Sequence, residues 1–158
     1  RKLAQLQREL SRRVKGSANR TKTKEKIARQ HERIAAIRRH NLHNISSDIV
    51  YGSQAAIIGV EDLHVKGMMA NHSLAKAVAD SSMGELKRQI AYKADWNGAE
   101  VIEMDRWYAS SKTCSECGHI QDMPLNMRTY HCPQCGMVLD RDVNAARNIA
   151  KMAAAAVE

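Results

Sequence analysis

Four cysteines fall in two pairs. Cys114 and Cys117 lie in Thr-Cys-Ser-Glu-Cys-Gly, and Cys132 and Cys135 lie in His-Cys-Pro-Gln-Cys-Gly, with fourteen residues between the pairs. Two residues between thiolates let one tight turn aim both sulfurs at one point. Gly118 and Gly136, one after each pair, free the backbone to curl there. Four thiolates converging on one ion make a tetrahedral structural zinc site with no open position for chemistry. The gap is one residue short of the commonest spacing for such sites, which matters little. Disulfide pairing is the competing use, and the pattern favours zinc. With no other cysteine in the chain, it also suits a reducing compartment. His119 and His131 border the pairs but stand outside the ligand set.

A second chemistry is suggested by two carboxylates far apart in sequence. Glu61 leaves the carboxyl end of a short apolar run, Ala55 to Val60, and open α/β sheets place their sites at that edge. Strand side chains alternate, so Glu61 and Asp62 are expected to face opposite ways. Asp142 sits in Asp-Arg-Asp-Val-Asn-Ala-Ala-Arg-Asn-Ile, where small alanines would let a helix pack closely on a sheet. Two such carboxylates meeting at one edge would bind Mg²⁺ through oxygen, and a third would allow two ions and in-line phosphodiester cleavage. A strand-end Glu and a helix-start Asp also have ordinary structural uses, the latter as a helix cap, and residue types alone leave both open.

The elements that must position these groups are legible in outline. Leu3, Leu6, Leu10 and Val14 recur at helical spacing, and residues 15–19 read as a turn. A second helix is predicted from about Thr21 to Val50, with its apolar line on Ile27, Ile34, Ile37, Leu42, Ile45 and Ile49. Together they form an antiparallel hairpin. The apolar run before Glu61 reads as a buried, parallel strand. Residues 74–97 read as one helix with Leu74, Val78, Leu86, Ile90 and Ala94 inward, stopped by Gly98. Residues 100–105 read as a second strand, completing a βαβ unit. The ribbon follows, and then a final helix from about Asp142 to Ala155. Trp96, Trp107 and Tyr108 are read as packing rather than base stacking.

Charge is unevenly distributed. The chain carries a net +8, yet residues 1–40 alone carry +11 and the remainder −3. A basic arm on a mildly acidic body points to a polyanion, nucleic acid first. Arg12, Arg13, Lys15, Lys22, Lys24 and Lys26 are the candidate contacts. No apolar run approaches bilayer-spanning length and no signal peptide is seen at Arg1, so no membrane partner is expected.

Three stretches carry a family resemblance. Val60-Glu61-Asp62-Leu63-His64-Val65-Lys66-Gly67-Met68 resembles the second acidic motif of the TnpB (OrfB) family, RNA-guided nucleases encoded beside transposases in prokaryotic insertion sequences and related to type V CRISPR effectors. Ser110-Ser111-Lys112-Thr113-Cys114-Ser115-Glu116-Cys117-Gly118 is similar to the family's entry into its zinc ribbon. Asp140-Arg141-Asp142-Val143-Asn144-Ala145-Ala146-Arg147-Asn148-Ile149 is similar to its third acidic motif.

The resemblance implies an α/β fold: a partial RuvC-like, RNase H-type nuclease with a basic helical hairpin and an inserted zinc ribbon. The divisions it suggests are the hairpin at 1–53, a βαβ core at 54–111, the ribbon at 112–138 and a last core helix at 139–158. Glu61 and Asp142 become catalytic Mg²⁺ ligands, Cys114, Cys117, Cys132 and Cys135 zinc ligands, and guide RNA and target DNA the partners, in a prokaryotic cytoplasm. In the family the first catalytic Asp lies on an early strand ahead of the hairpin. This chain opens inside the hairpin, so that Asp is expected outside it, and Asp105 is not a substitute. The implied function is the C-terminal part of a Mg²⁺-dependent RNA-guided DNA endonuclease. The alternative is a truncated relative that binds DNA or RNA without cutting.

Overall fold

The structure is a computed structural model that describes residues 1–124 and 126–157, the side chain of Leu74 excepted, so the inward position expected of Leu74 lies outside the described residues. The chain divides into two compact units, residues 1–45 and 46–158.

The first unit is a helical hairpin. Helix α1 spans Lys2–Arg12, and α2 begins at Ala18 and runs to Ser47, where the second unit has begun. The turn is shorter than 15–19 because Ser17 caps α2, its Oγ accepting the Arg20 N–H at 3.2 Å. Gly16 takes the left-handed conformation the reversal needs (φ 81°). Arg20 ties the helices by donating to the Leu10 carbonyl at 2.7 Å, and buried Thr23 donates to Glu9 at 3.3 Å. Ile27 and Ile34 are half-buried, but Ile37 and Ile45, expected in the apolar line, are exposed.

In the second unit, a π-helical turn at Asp48–Gly52 ends α2 and leads to strand β1, Ile57–Glu61. Helices α3 (Val65–Ala70), α4 (His72–Ser81) and α5 (Met83–Asn97) precede β2, Glu100–Met104. The single helix read over 74–97 is thus two, because Ser82 adopts a left-handed conformation (φ 52°) within a run of poor helix formers, Ser81, Ser82 and Gly84. Gly98 closes α5 as expected, with φ 70°. β1 and β2 pair in parallel, from Ile57 opposite Glu100 to Glu61 opposite Met104. Ile58 packs with Val50, Ile90 and Ala94 on one face of this pair. The next residue, Gly59, meets Ile149 and Ala153 of helix α6 (Arg141–Ala155) on the other. Alternation along β1 therefore puts α5 and α6 on opposite faces of a two-stranded layer. A Cβ on Gly59 would come within 2.7 Å of the Ile149 side chain, so glycine sets how closely α6 can sit.

The α5 face also buries an amine. Lys93 donates to the hydroxyls of Ser46 at 2.7 Å and Ser47 at 2.8 Å, and Ser46 donates to Gln89 at 3.0 Å. Burial lowers the Lys93 pKa, against the pull of Asp48.

Between β2 and α6 lies a small antiparallel hairpin, β3 (Thr129–His131) and β4 (Val138–Asp140). It packs its fully buried Tyr130 against Cys114, Cys132 and Met123.

Candidate functional site

The four cysteines meet. Their sulfurs all lie within 4.8 Å of one another, with Cys114 to Cys135 and Cys117 to Cys132 each at 3.6 Å. A tetrahedron with Zn–S bonds of about 2.3 Å has edges of about 3.8 Å, so the separations fit one zinc ion, and they far exceed a disulfide bond of about 2.05 Å. Each pair sits on the same turn: Gly118 N–H donates to the Cys114 carbonyl and Gly136 N–H to that of Cys132, both at 3.0 Å. Both glycines are left-handed, at φ 76° and 74°.

The thiols also strain against one another electrostatically. Burial opposes ionisation of Cys132, but the backbone N–H groups of Cys135 and Gln134 and the neighbouring thiols outweigh it and hold its pKa at about 6. Cys135 receives the Met137 N–H, yet burial and the other three cysteines push it up to about 12. Cys132 ionises readily while Cys117 and Cys135 resist, which is the condition a divalent cation relieves. The Tyr130 hydroxyl faces the carbonyls of Lys112 (3.0 Å) and His119 (3.2 Å), bracing the knuckle from inside.

A pair of buried asparagines on α6 holds this knuckle. Asn144 accepts the Ser115 N–H at 2.9 Å and donates to the Thr113 carbonyl at 2.7 Å. Asn148 donates to the carbonyls of Ser110 at 2.8 Å and Thr113 at 2.7 Å. Sequence reasoning missed them. The available signal was two asparagines four apart on the inward face of an otherwise alanine-rich helix, where asparagine is a poor helix former.

The same clamp reaches Glu61, because Ser110 donates through its hydroxyl to Glu61 Oε1 at 3.2 Å. Glu61 borders a cleft of about 130 Å³ with Asp62, Met104, Arg106, Tyr108 and Ile149. Glu61 and Asp62 border the same cleft but bond to different partners, Ser110 and Arg106. The strand ends at Glu61, and the Leu63 N–H turns back to the Glu61 carbonyl at 3.1 Å, so Asp62 lies beyond the regular pleat. Asp62 takes an ion pair from Arg106 at 2.5 Å.

Asp142 is in the first turn of α6 but is not its cap. Asp140 caps the helix, accepting the N–H groups of Asp142 at 2.9 Å and Val143 at 3.1 Å. Asp142 is left 70% exposed, with Arg141 at 3.4 Å and Arg128 at 3.8 Å. It does not border the Glu61 cleft, and it stands about 10 Å along the helix from Ile149, which does. Among the described residues, the four cysteines are the one group of three or more metal-binding side chains held close together.

Trp96 and Trp107, read as packing, are 74% and 86% exposed. Trp96 lies edge-on to Tyr92 at the end of α5, and Trp107 stands on a loop pinned by its own N–H to Asp105 at 2.7 Å.

Of the basic candidates, Arg13 is paired with Glu9 at 2.7 Å, while Arg12, Lys15, Lys22, Lys24 and Lys26 are exposed. No helix among the described residues is long and apolar enough to cross a membrane.

Comparison with known proteins gives two family profiles. One described as "Probable transposase" (OrfB_IS605) matches residues 1–72, and one described as "Cas12f1-like, TNB domain" matches residues 84–149. The chain belongs to the TnpB/OrfB family. A relative from Streptomyces pristinaespiralis, named as a candidate RNA-guided DNA endonuclease, is 46% identical over 94% of this chain and 36% of its own length. A relative from Escherichia coli named in the same way is 38% identical over 94% of this chain and 40% of its own length. The chain thus spans well under half of these TnpB/OrfB relatives. Among solved structures, the cryo-EM structure of a Cas12f1–sgRNA–target DNA complex matches with a TM-score of 0.58 at 22% identity, over 94% of this chain and 39% of that one, a likeness of fold.

Proposed function

We propose that this chain is the RuvC-like, RNase H-type nuclease core and zinc ribbon of a longer RNA-guided DNA endonuclease, its C-terminal part. One observation carries the reading. Glu61 opens into a cleft at the carboxyl end of a parallel strand pair, and the helix seated on that pair starts with an exposed Asp142 whose capping duty falls to Asp140. In this reading residues 1–53 form the hairpin, 54–111 and 139–158 the core, and 112–138 the ribbon.

Glu61 and Asp142 are both exposed carboxylates of the hard-oxygen type Mg²⁺ takes, Glu61 in the cleft and Asp142 outside it, and both would hold the ion once the longer protein completes the site. When bound, it supplies charge neutralisation at the phosphate and an activated water for in-line cleavage. Ser110 orients the Glu61 carboxylate, and Arg128 and Arg141 place positive charge beside Asp142, where strand phosphates would lie. The family's remaining carboxylate would come from the longer protein. Cys114, Cys117, Cys132 and Cys135 hold zinc and keep the ribbon folded. Guide RNA and target DNA are the partners, by analogy with the Cas12f1 complex, and the site of action is a prokaryotic cytoplasm.

The test uses the intact protein. Glu61→Gln and Asp142→Asn are each expected to abolish Mg²⁺-dependent cutting, with guide-RNA binding and zinc content unchanged. Retained cutting in either variant removes that residue from the site. An intact wild type that binds guide and target but never cuts would place it among non-cleaving binders.

A further inference from the structure

The basic arm is not uniform. The first unit carries two grooves with different electrostatics. One is bordered by Gln5, Arg8, Glu9, Arg12 and Arg13, and its carboxylate already holds Arg13 at 2.7 Å and accepts from Thr23. That groove includes two of the contacts expected from sequence, and part of its charge is satisfied internally.

The other groove, of about 500 Å³, is bordered by Lys2, Leu6, Lys26, Arg29, Gln30 and Arg33. Four of the six are cations and none is an acid. Among the described residues, Lys2, Lys26, Arg29 and Arg33 make no ion pair, although Glu25 and Glu32 share α2 with the last three. Lys26, Arg29 and Arg33 stand at i, i+3 and i+7, one face of α2, and Lys2 and Leu6 face them from α1. Like charges gathered this closely repel one another, and Glu9, which acts on Lys26 from the neighbouring groove, is one acid against four cations and offsets only part of that cost. The row runs about 10 Å along α2, comparable to three phosphates at about 3.4 Å of axial rise each. The guanidinium forks of Arg29 and Arg33 suit phosphate oxygens, Gln30 adds an amide donor, and Leu6 gives the groove an apolar wall.

We propose that this groove is a binding site for a nucleic-acid backbone, with Lys2, Lys26, Arg29 and Arg33 contacting successive phosphates. Three of these four lie outside the set expected from sequence. The site does not depend on the nuclease reading, and binding measured without Mg²⁺ separates failure of one from failure of the other.

The experiment is a salt titration of binding to an RNA–DNA heteroduplex of about 20 base pairs. Three forms of the protein are compared: wild type, Arg29→Gln/Arg33→Gln, and Arg39→Gln/Lys76→Gln, two exposed cations assigned to no site. The two variants lose the same charge, and only the first loses it from the groove. Each phosphate contact on a duplex contributes about 0.9 to the slope of log K against log salt. The groove variant is therefore expected to lose about 1.8 in slope, and the control much less. Repeating it with duplex DNA and single-stranded RNA identifies the preferred strand type, the single strand contributing about 0.7 per contact. Far-UV circular dichroism checks that α2 is kept, which these exposed glutamines favour. Equal loss of slope in the two variants would mean diffuse charge and no site, and an unchanged slope in the groove variant would also overturn the proposal.

Discussion

The cysteine knuckle and the carboxylate cleft are built in opposite ways. The knuckle gathers its four ligands from 22 consecutive residues, on two copies of the same glycine-ended turn. The cleft draws Glu61 from a strand end, Ser110 from the loop before the ribbon and Ile149 from the last helix, with Asp142 further along it. Local turns can assemble a metal site almost unaided. A site spread over eighty residues has only the packing of its elements to hold it. The asparagine pair joins the two constructions, since Asn144 and Asn148 grip the knuckle's first turn and the Ser110 carbonyl.

This contrast can be broken at three depths. Removing zinc should have the largest effect, because structural zinc contributes about 10–16 kcal/mol of apparent binding energy to small folds. Chelation or Cys132→Ser is expected to abolish the bound metal and the hydrogen-exchange protection of residues 112–138. Protection of α5 and β1 should largely persist, and a ribbon that stays protected without metal would mean its hydrophobic cluster suffices. Next comes the clamp. Asn148→Ala strands the buried Ser110 carbonyl and is expected to cost about 2 kcal/mol in chemical denaturation while zinc stoichiometry stays unchanged. A smaller cost would show that water replaces the amide. Gly59→Ala should be comparable or milder, about 1–2 kcal/mol, by pushing α6 off β1. Because the knuckle does not rest on β1, its metal affinity should not change, and a weakened zinc site would show the two regions more tightly coupled than their contacts indicate.

How much of this was legible in sequence follows the same division. The cysteine spacing announced a closed metal site because the relevant geometry lies within two turns. The parallel strands were legible through the apolar run 55–60 and through Gly98, whose left-handed backbone ends α5. What sequence missed depended on distant partners or on competition between neighbours. Ser82 breaks the middle helix by a left-handed backbone that its residue type does not announce. Asp140 took the cap for which Asp142 was the other candidate by residue type. Trp96 and Trp107 look like core residues by type and are solvent-facing by position. Among the lysines and arginines, composition gave the sign of the surface. Only the pairing of helices distinguished the groove where cations stand together from the one where Glu9 intervenes.

The seating of α6 on Gly59 has a consequence in time. The parallel strands are complete at Met104, but the helix that covers one face of them runs to Ala155, with the whole ribbon translated in between. At about 5–20 residues per second, those 51 residues leave that strand face uncovered for roughly 3–10 seconds of synthesis. During that interval the knuckle can already capture its metal, since none of its ligands lies on α6. The last helix then arrives to find a finished ribbon on one side and an open strand pair on the other, and its two asparagines and the gap at Gly59 close both at once.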